Sequence, residues 1–274
     1  AKERGIPVFS YIPPSAWAWR KGRAKSCAAL ADEIVAIFPH ELPPYEEAGA
    51  NISFVGNPLI DTVHAEMEPE EARIHFGIGA EDVPILLMPG SRREEIERLL
   101  PPMLGAAKIL AAKDSARRFF LPVAGGVDVT QIGRHLAASS VDVTLAYDAR
   151  YALMGIARAA IAASGTVIME AAIMGLPAVV LYRMSTLSYL IGRLLVDVPR
   201  FSLPNILVGE TFETELLQDA VQPERIAEAM ERIIADGADR VYVTERLARA
   251  VALLGEPHAA RRVAEKILAL AKRA

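Results

Sequence analysis

"AASGTVIMEAAIMGLPAVVLYR", residues 162–183, is one strand-turn-helix-turn-strand unit written out in full. The apolar run Ala159–Ala163 leads into it. Ser164-Gly165-Thr166 turns the chain, a helical period runs from Ser164 to Met174, and Gly175-Leu176-Pro177 stops it before a second apolar run, Ala178–Leu181. Neither apolar run alternates with polar residues, which is how parallel strands covered on both faces read. Parallel strands joined through a helix form a βαβ unit, so the stretch predicts a parallel sheet with helices on its faces.

The same alternation extends outward in both directions. Short apolar runs at Ile6–Ile12, Glu33–Phe38, Ile52–Val55, Ile85–Met88, Phe119–Val123 and Val141–Leu145 read as further strands, and Arg92–Ala112 reads as a long helix. Repeated units of this kind predict a doubly wound α/β architecture. "FVGNPLID", Phe54–Asp61, closes the first series with Gly-Asn-Pro and is the expected hinge between two such sheets. After Pro204 the strands are expected to stop, with helices at 223–235, 239–254 and 257–274. Three segments follow: 1–57, the remainder of an N-terminal domain; 58–255, a C-terminal domain; and 256–274, a helix that packs back on the N-terminal domain or on a partner subunit. "AKERGIPVFSYI" reads as the tail of a helix, a stop at Gly5 and a strand already under way, so the chain is expected to begin partway through a domain.

Composition narrows the function. The 274 residues are 52% apolar, enough to build a sizeable core in one large or two ordinary domains. Thirty basic and thirty-four acidic side chains leave a net charge of -4, which does not favour nucleic acid as a partner, so any basic site must be local. The single cysteine, Cys27, rules out an internal disulfide framework and CxxC motifs, and it suits a reducing compartment. The most apolar region, 159–182, is cut by Ser164-Gly165-Thr166, by Glu170 and by Gly175-Leu176-Pro177, and the pieces are too short to span a bilayer.

Two strand-to-helix turns carry candidate chemistry. In "LLMPGSRREE", Leu86–Glu95, Gly90 permits a tight turn, Ser91 enters a helix whose N-terminus offers unpaired N–H groups, and Arg92 adds a fixed cation. That combination suits a phosphate. Ser91 with Glu94 is also an S-x-x-E capping box, which a purely structural helix would carry as well. In the second turn, Ser164, Gly165 and Thr166 present hydroxyl and N–H groups where a strand gives way to a helix, and Glu170 lies one helical turn beyond Thr166. A carboxylate in an otherwise apolar helix needs a partner, such as a ribose diol, or else a solvated face. There is no G-x-G-x-x-G after a strand, no G-x-x-x-x-G-K-[ST], and no His pair at metal-ligand spacing, so a dinucleotide enzyme, a P-loop NTPase and a zinc site all lose ground.

Taken together, "YIPPSAWAWRKGR", "FVGNPLID", "LLMPGSRREEIERLLP", "AASGTVIMEAAIMGLPAVVLYRMSTLSYLIGRLLV" and "FSLPNILVGE…ELLQ" resemble, in order and spacing, the lipid-A-disaccharide synthase family. The Gly-Ser-Arg turn and the Ser-Gly-Thr-to-Glu helix recur broadly among glycosyltransferases of the GT-B type, whereas the Trp-Ala-Trp-Arg and Ser-Leu-Pro-Asn segments are narrower. The resemblance implies two Rossmann-like doubly wound parallel sheets, the N-terminal one incomplete because roughly the first hundred residues of the family have no counterpart here. It implies inverting, metal-independent transfer from UDP-2,3-diacylglucosamine to 2,3-diacylglucosamine 1-phosphate, giving a β-1,6 disaccharide and UDP, with no cofactor. Arg92 with the Gly90 and Ser91 backbone would neutralise the leaving diphosphate beside Ser164, Gly165 and Thr166. Glu170 would hold the ribose, and Asn205 would line the cleft. The general base is expected to be absent from this chain.

The resemblance also implies a cytoplasmic protein peripheral at the inner face of the bacterial inner membrane, able to form a homodimer through exchanged C-terminal segments. Trp17 and Trp19 suit corner packing, or contact with acyl chains beside Arg20, Lys21, Arg23 and Lys25. "YLIGRLL", Tyr189–Leu195, has the same two readings. Pro13 stands where the family usually has Ser and Asn57 where it usually has His, so the hinge side of the cleft is expected to differ from the family's. A UDP-sugar epimerase or other GT-B transferase, and a non-catalytic UDP-binding fragment, remain alternatives. The acidic residues of 1–57, Glu3, Asp32, Glu33, Glu41, Glu46 and Glu47, are expected at helix ends or on solvated faces.

Overall fold

A computed structural model describes residues 1, 4–17, 22–185 and 199–272 of the chain. These form two compact units, Ala1–Thr62 with Ala252–Ala274, and Val63–Thr186 with Arg200–Val251. The chain passes from one to the other after Thr62, just beyond the Gly-Asn-Pro stretch. Trp19, Arg20, Lys21 and the Tyr189–Leu195 cluster lie outside the described residues.

The first unit runs β1 (Phe9–Tyr11), α1 (Gly22–Leu30), β2 (Glu33–Ala36), α2 (Leu42–Glu47), β3 (Ile52–Phe54) and α3 (Leu59–Thr62). Its strands form a parallel sheet in the order β1-β2-β3, with Phe9 opposite Glu33 and Ile34 opposite Ile52. The middle strand is buried throughout, and its Ile34 clusters with Ala16, Ala24 and Tyr45. The Tyr45 hydroxyl donates to the Pro14 carbonyl at 2.6 Å, tying α2 to the Pro13-Pro14 turn. Trp17 meets His40 edge-on at 5.0 Å, and His40 stacks on Phe38 at 5.4 Å, so this indole packs at the corner. Two acids of this unit are buried where solvated faces were expected: Glu41 is 5% exposed, and Glu33, 8% exposed, sits in the covered middle strand.

The second unit opens with α4 (Pro69–His75) and continues as β4 (Val83–Met88), α5 (Arg93–Lys113), β5 (Arg117–Pro122), α6 (Val129–Ala137), β6 (Val143–Ala146), α7 (Arg150–Ile156), β7 (Ala159–Ala163), α8 (Thr166–Ile173), β8 (Ala178–Tyr182), α9 (Leu203–Val208), β9 (Glu215–Leu217), α10 (Pro223–Ile234) and α11 (Ala238–Ala252). The six strands are all parallel, in the order β6-β5-β4-β7-β8-β9. The chain winds outward from β4 through β5 to β6, then returns to lay β7 on the other side of β4, with Ile85 opposite Ala159 and Met88 opposite Ala162. Winding therefore reverses between β4 and β7. In a doubly wound sheet, that reversal opens a crevice at the carboxyl ends of the two strands.

β9 corrects the expectation that strands end at Pro204: Val180 pairs with Glu215 and Tyr182 with Leu217. A three-residue edge strand with one buried position, Leu216, is too short to show a period in the sequence. The sheet's helix layer is close-packed where α5 crosses α10. A Cβ on Gly105 would lie 2.7 Å from the Pro223 ring.

α12 (Ala259–Ala271) returns to the first unit. Asp61 accepts from the His258 and Ala259 amides at its start (2.6 and 3.1 Å), Arg262 donates to the Val55 carbonyl at 2.7 Å, and Lys266 pairs with Glu33 at 2.7 Å. Gly56, at φ 105, faces Arg262 and the Glu256 carbonyl so closely that a Cβ would sit 2.8 and 2.9 Å from them. Asn57 is fully buried, donates to the Ile37 carbonyl and accepts from the Leu59 amide, both at 2.9 Å. The Gly-Asn-Pro stretch thus seats the C-terminal helix.

Candidate functional site

The crevice between β4 and β7 holds a cavity of about 310 Å³. Its walls come from four strand ends: Met88–Arg92 after β4, Pro122–Ala124 at the end of β5, Arg150 after β6, and Ala163–Val167 after β7, with Glu95, Met154 and Glu170 completing it. Seven of the eight residues singled out by sequence line it: Gly90, Ser91, Arg92, Ser164, Gly165, Thr166 and Glu170.

The first turn differs in detail from its sequence reading. Gly90 has φ 99, and the helical backbone begins at Arg93 with Arg92 as its N-cap residue. The turn therefore extends one residue further than expected, which leaves Ser91 exposed and outside the cap. The reciprocal contact is made by Glu95, which accepts from the Arg92 amide at 3.3 Å and from its guanidinium at 2.9 Å, while Glu94 pairs with Arg98 at 3.2 Å. Arg92 remains 83% exposed, a cation at the rim of the cavity on the N-terminal end of a 21-residue helix.

The second turn follows its expected course. Gly165 is the N-cap of α8 and supplies no side-chain cap, so the first-turn N–H groups at Thr166 and Val167 are left to the cavity. The Ser164 hydroxyl donates to the Phe201 carbonyl at 3.0 Å, which fixes the turn against the segment leading into α9. Two helix N-termini, of α5 and α8, thus converge on one space, and their partial positive charges add.

Glu170 is neither solvated nor alone. Its carboxylate, 13% exposed, pairs with Arg150 at 3.3 Å. Arg150 was missed in the sequence, and its only signal is its place after the β6 run, at the carboxyl edge where ligands of parallel sheets bind. It is held there from several directions. Ala149 adopts the left-handed conformation at φ 45, the Ala152 amide donates to Glu66 at 2.8 Å, and the Arg150 guanidinium lies 4.6 Å over the Tyr151 ring.

Asn205 is placed elsewhere. It is fully buried and outside the cavity wall. Its amide nitrogen donates to the Glu213 carbonyl (2.9 Å) and Glu215 Oε1 (2.7 Å), and its oxygen accepts from the Phe212 and Glu213 amides, both at 3.0 Å. Both donors and both lone pairs are consumed, so Asn205 braces the α9–β9 loop and does not line the cleft. Glu215 in turn accepts from the Phe201 and Ser202 amides at 3.0 Å. This brace reaches the site through Phe201 and Ser164. Glu213 beside it is 1% exposed, and burial pushes its pKa up to about 8, opposed by the Ala178 backbone and reinforced by the Glu215 charge.

Among the described residues, no helix is long and apolar enough to cross a membrane. The family model for lipid-A-disaccharide synthetase matches residues 1–269. The lipid-A-disaccharide synthase of Syntrophus aciditrophicus is 42% identical over 274 residues, covering all of this chain and 72% of that protein, and that of Geobacter metallireducens is 41% identical over 268 residues, covering 98% and 70%. Among solved structures, the UDP-GlcNAc 2-epimerase of Neisseria meningitidis bound to UDP-GlcNAc superimposes with a TM-score of 0.65 at 17% identity, covering 97% of this chain and 71% of that one. The UDP-GlcNAc 2-epimerase of Methanocaldococcus jannaschii gives 0.55 at 15%, covering 92% and 72%. At those identities the likeness is one of fold.

Proposed function

The chain belongs to the lipid-A-disaccharide synthetase family of glycosyltransferases, and from that premise we propose that its second unit binds UDP-2,3-diacylglucosamine with the diphosphate between the two helix N-termini. The observation that carries the reading is the convergence of the Gly90-Ser91-Arg92 and Ser164-Gly165-Thr166 turns on one cavity. In the transfer, the acceptor hydroxyl of 2,3-diacylglucosamine 1-phosphate attacks the anomeric carbon from the face opposite the nucleotide. The bond from that carbon to the diphosphate oxygen breaks with its electron pair, a β-1,6 disaccharide forms and UDP leaves. Arg92 and the N–H groups of the two turns meet the charge that develops on the departing oxygen, which is where fixed donors lower a barrier most. Glu170 accepts from the ribose hydroxyls.

The acceptor hydroxyl must lose its proton to a base within hydrogen-bond reach. Of the acids in the first unit, Asp32 accepts from the Val8 amide at 2.8 Å, Glu33 is paired with Lys266, and Glu41 is buried. On this reading the 274-residue chain binds donor and does not by itself make disaccharide. Association with the inner face of the membrane, and pairing into a homodimer, belong to the same proposal.

Calorimetry tests the nucleotide part. UDP binds with and without chelator, and Glu170→Ala weakens UDP while leaving inorganic diphosphate unaffected; binding that requires a divalent ion sinks the metal-free reading. An assay with both acylated substrates tests the rest, and disaccharide formed by the 274 residues alone would overturn the assignment of the base outside them. UDP released without acceptor would favour epimerase-like chemistry.

A further inference from the structure

The Arg150–Glu170 pair is an unusual thing to find in the wall of a cavity meant for a ligand, because it spends a cation and an anion on each other. Its geometry shows that only part of it is spent. Both of the guanidinium's polar contacts, to Glu170 at 3.3 Å and to the Tyr151 hydroxyl at 2.5 Å, are made by Nη2. Nη1 and Nε have no partner among the described residues, and the Arg150 side chain is 48% exposed. Glu170 offers acceptors only and Arg150 donors only. The 2.5 Å contact to Tyr151, the ring beneath the guanidinium and the Glu66 carboxylate at the start of α7 fix the direction in which the remaining donors point.

Few ligand groups satisfy both halves. A phosphate set against the pair would be repelled by Glu170, and an apolar group would leave both partners desolvated and unanswered. A vicinal diol fits, since each hydroxyl donates one hydrogen bond and accepts two. We propose that Arg150 is a specificity-determining residue of the donor site, donating through Nη1 or Nε to an oxygen of the ribose diol while the same diol donates to Glu170. The inference rests on the nucleotide reading of the cavity and adds to it a second ribose ligand, from a different strand end. In the bound state the ion pair persists, so Arg150 also keeps the Glu170 carboxylate aimed at the sugar.

The test compares UDP with 2′,3′-dideoxyuridine diphosphate, which lacks the diol, by calorimetry on the 274-residue chain. The unaltered chain prefers UDP by roughly tenfold or more, as expected when hydrogen bonds to charged groups are lost. Arg150→Ala weakens UDP by about tenfold, leaves the dideoxy nucleotide close to its original affinity, and so collapses the preference. Arg150→Met, which keeps the stem over Tyr151, behaves in the same way and serves in place of the alanine variant if that one melts early. If either variant, with an unchanged melting temperature, weakens both nucleotides equally, Arg150 is a phosphate or base contact and the proposal is overturned. A chain that prefers UDP but keeps that preference without Arg150 also overturns it, with the nucleotide site intact. Absence of any UDP binding by the unaltered chain overturns the nucleotide reading and this proposal together.

Discussion

Glu95 folds back beneath Gly90, and a methyl group on residue 90 would fall on its carboxylate oxygen and lie 3.2 Å from its Cβ. Gly90 also has φ 99, a conformation that side chains disfavour by about 1–2 kcal/mol. Gly90→Ala therefore has two costs, backbone strain and displacement of the carboxylate that holds Arg92. Thermal denaturation is expected to show a loss of at least about 1 kcal/mol, with UDP affinity falling alongside. A variant as stable as the parent would mean that the turn relaxes freely and that Glu95 does not set its shape.

Arg92 and Ser91 separate chemistry from capping. Arg92 is 83% exposed, so Arg92→Ala leaves the melting temperature nearly unchanged, while turnover in a complete enzyme carrying this unit falls by about two orders of magnitude, as loss of a transition-state charge contact does. Ser91→Ala changes stability by less than about 0.5 kcal/mol, because the hydroxyl is exposed and the cap is the Glu95 carboxylate on the Arg92 backbone amide, which Arg92→Ala also keeps. Were Ser91→Ala to cost as much as a lost N-cap, the helix would have to begin one residue earlier in solution.

Asn205 behaves as a brace. Asn205→Ala strands the Glu213 carbonyl and two backbone amides in a fully buried position and leaves Glu215 Oε1 with the Ser202 amide alone, and equilibrium unfolding is expected to register about 2–4 kcal/mol. Asn205→Asp sets a second carboxylate against Glu215 at the position now held by the amide and is no milder. If either variant folds normally and loses only turnover, the side chain has a role in the cleft after all.

Stability carries opposing pH dependences from one buried group and one half-buried group. Glu213 is raised from 4.5 to about 8 by burial and then by the Glu215 charge, so between those values the folded state binds more protons than the unfolded state. Its contribution is fully present below pH 4.5 and is lost as pH climbs towards 8, at up to about 1.4 kcal/mol per pH unit. His40 is lowered from 6.5 to about 4 by burial against its neighbours, so stability is lost as pH falls through that interval. Unfolding midpoints measured from pH 5 to 8 are expected to decline on the alkaline side, and Glu213→Gln is expected to flatten that decline. An unchanged alkaline slope in Glu213→Gln would place the ionisation elsewhere.

The sequence by itself determined the alternation of strands and helices, the parallel character of the sheets and the two turns that face the cavity. Runs such as Ile85–Met88 and Ala159–Ala163 have no polar alternation because both faces are covered, and Gly90 and Gly165 mark places where the backbone must turn. These are properties of a few consecutive residues, so they survive without a fold. Motifs carried the family assignment for the same reason. What only the tertiary structure decided is who partners whom. Strand order brings the β4 and β7 turns together although they lie far apart in sequence, and it delivers Arg150 to Glu170 from a third strand end. The capping register moved by one residue because Glu95, not Glu94, reaches back to the turn. Asn205 left the cleft because the loop to β9 closes on it, and Glu33 left the solvent because Lys266, distant in sequence, covers it; Glu41 is buried as well. A polar side chain spells out only what it can donate or accept; where it points, and whether water can still reach it, follow from the packing of elements that the local pattern does not contain.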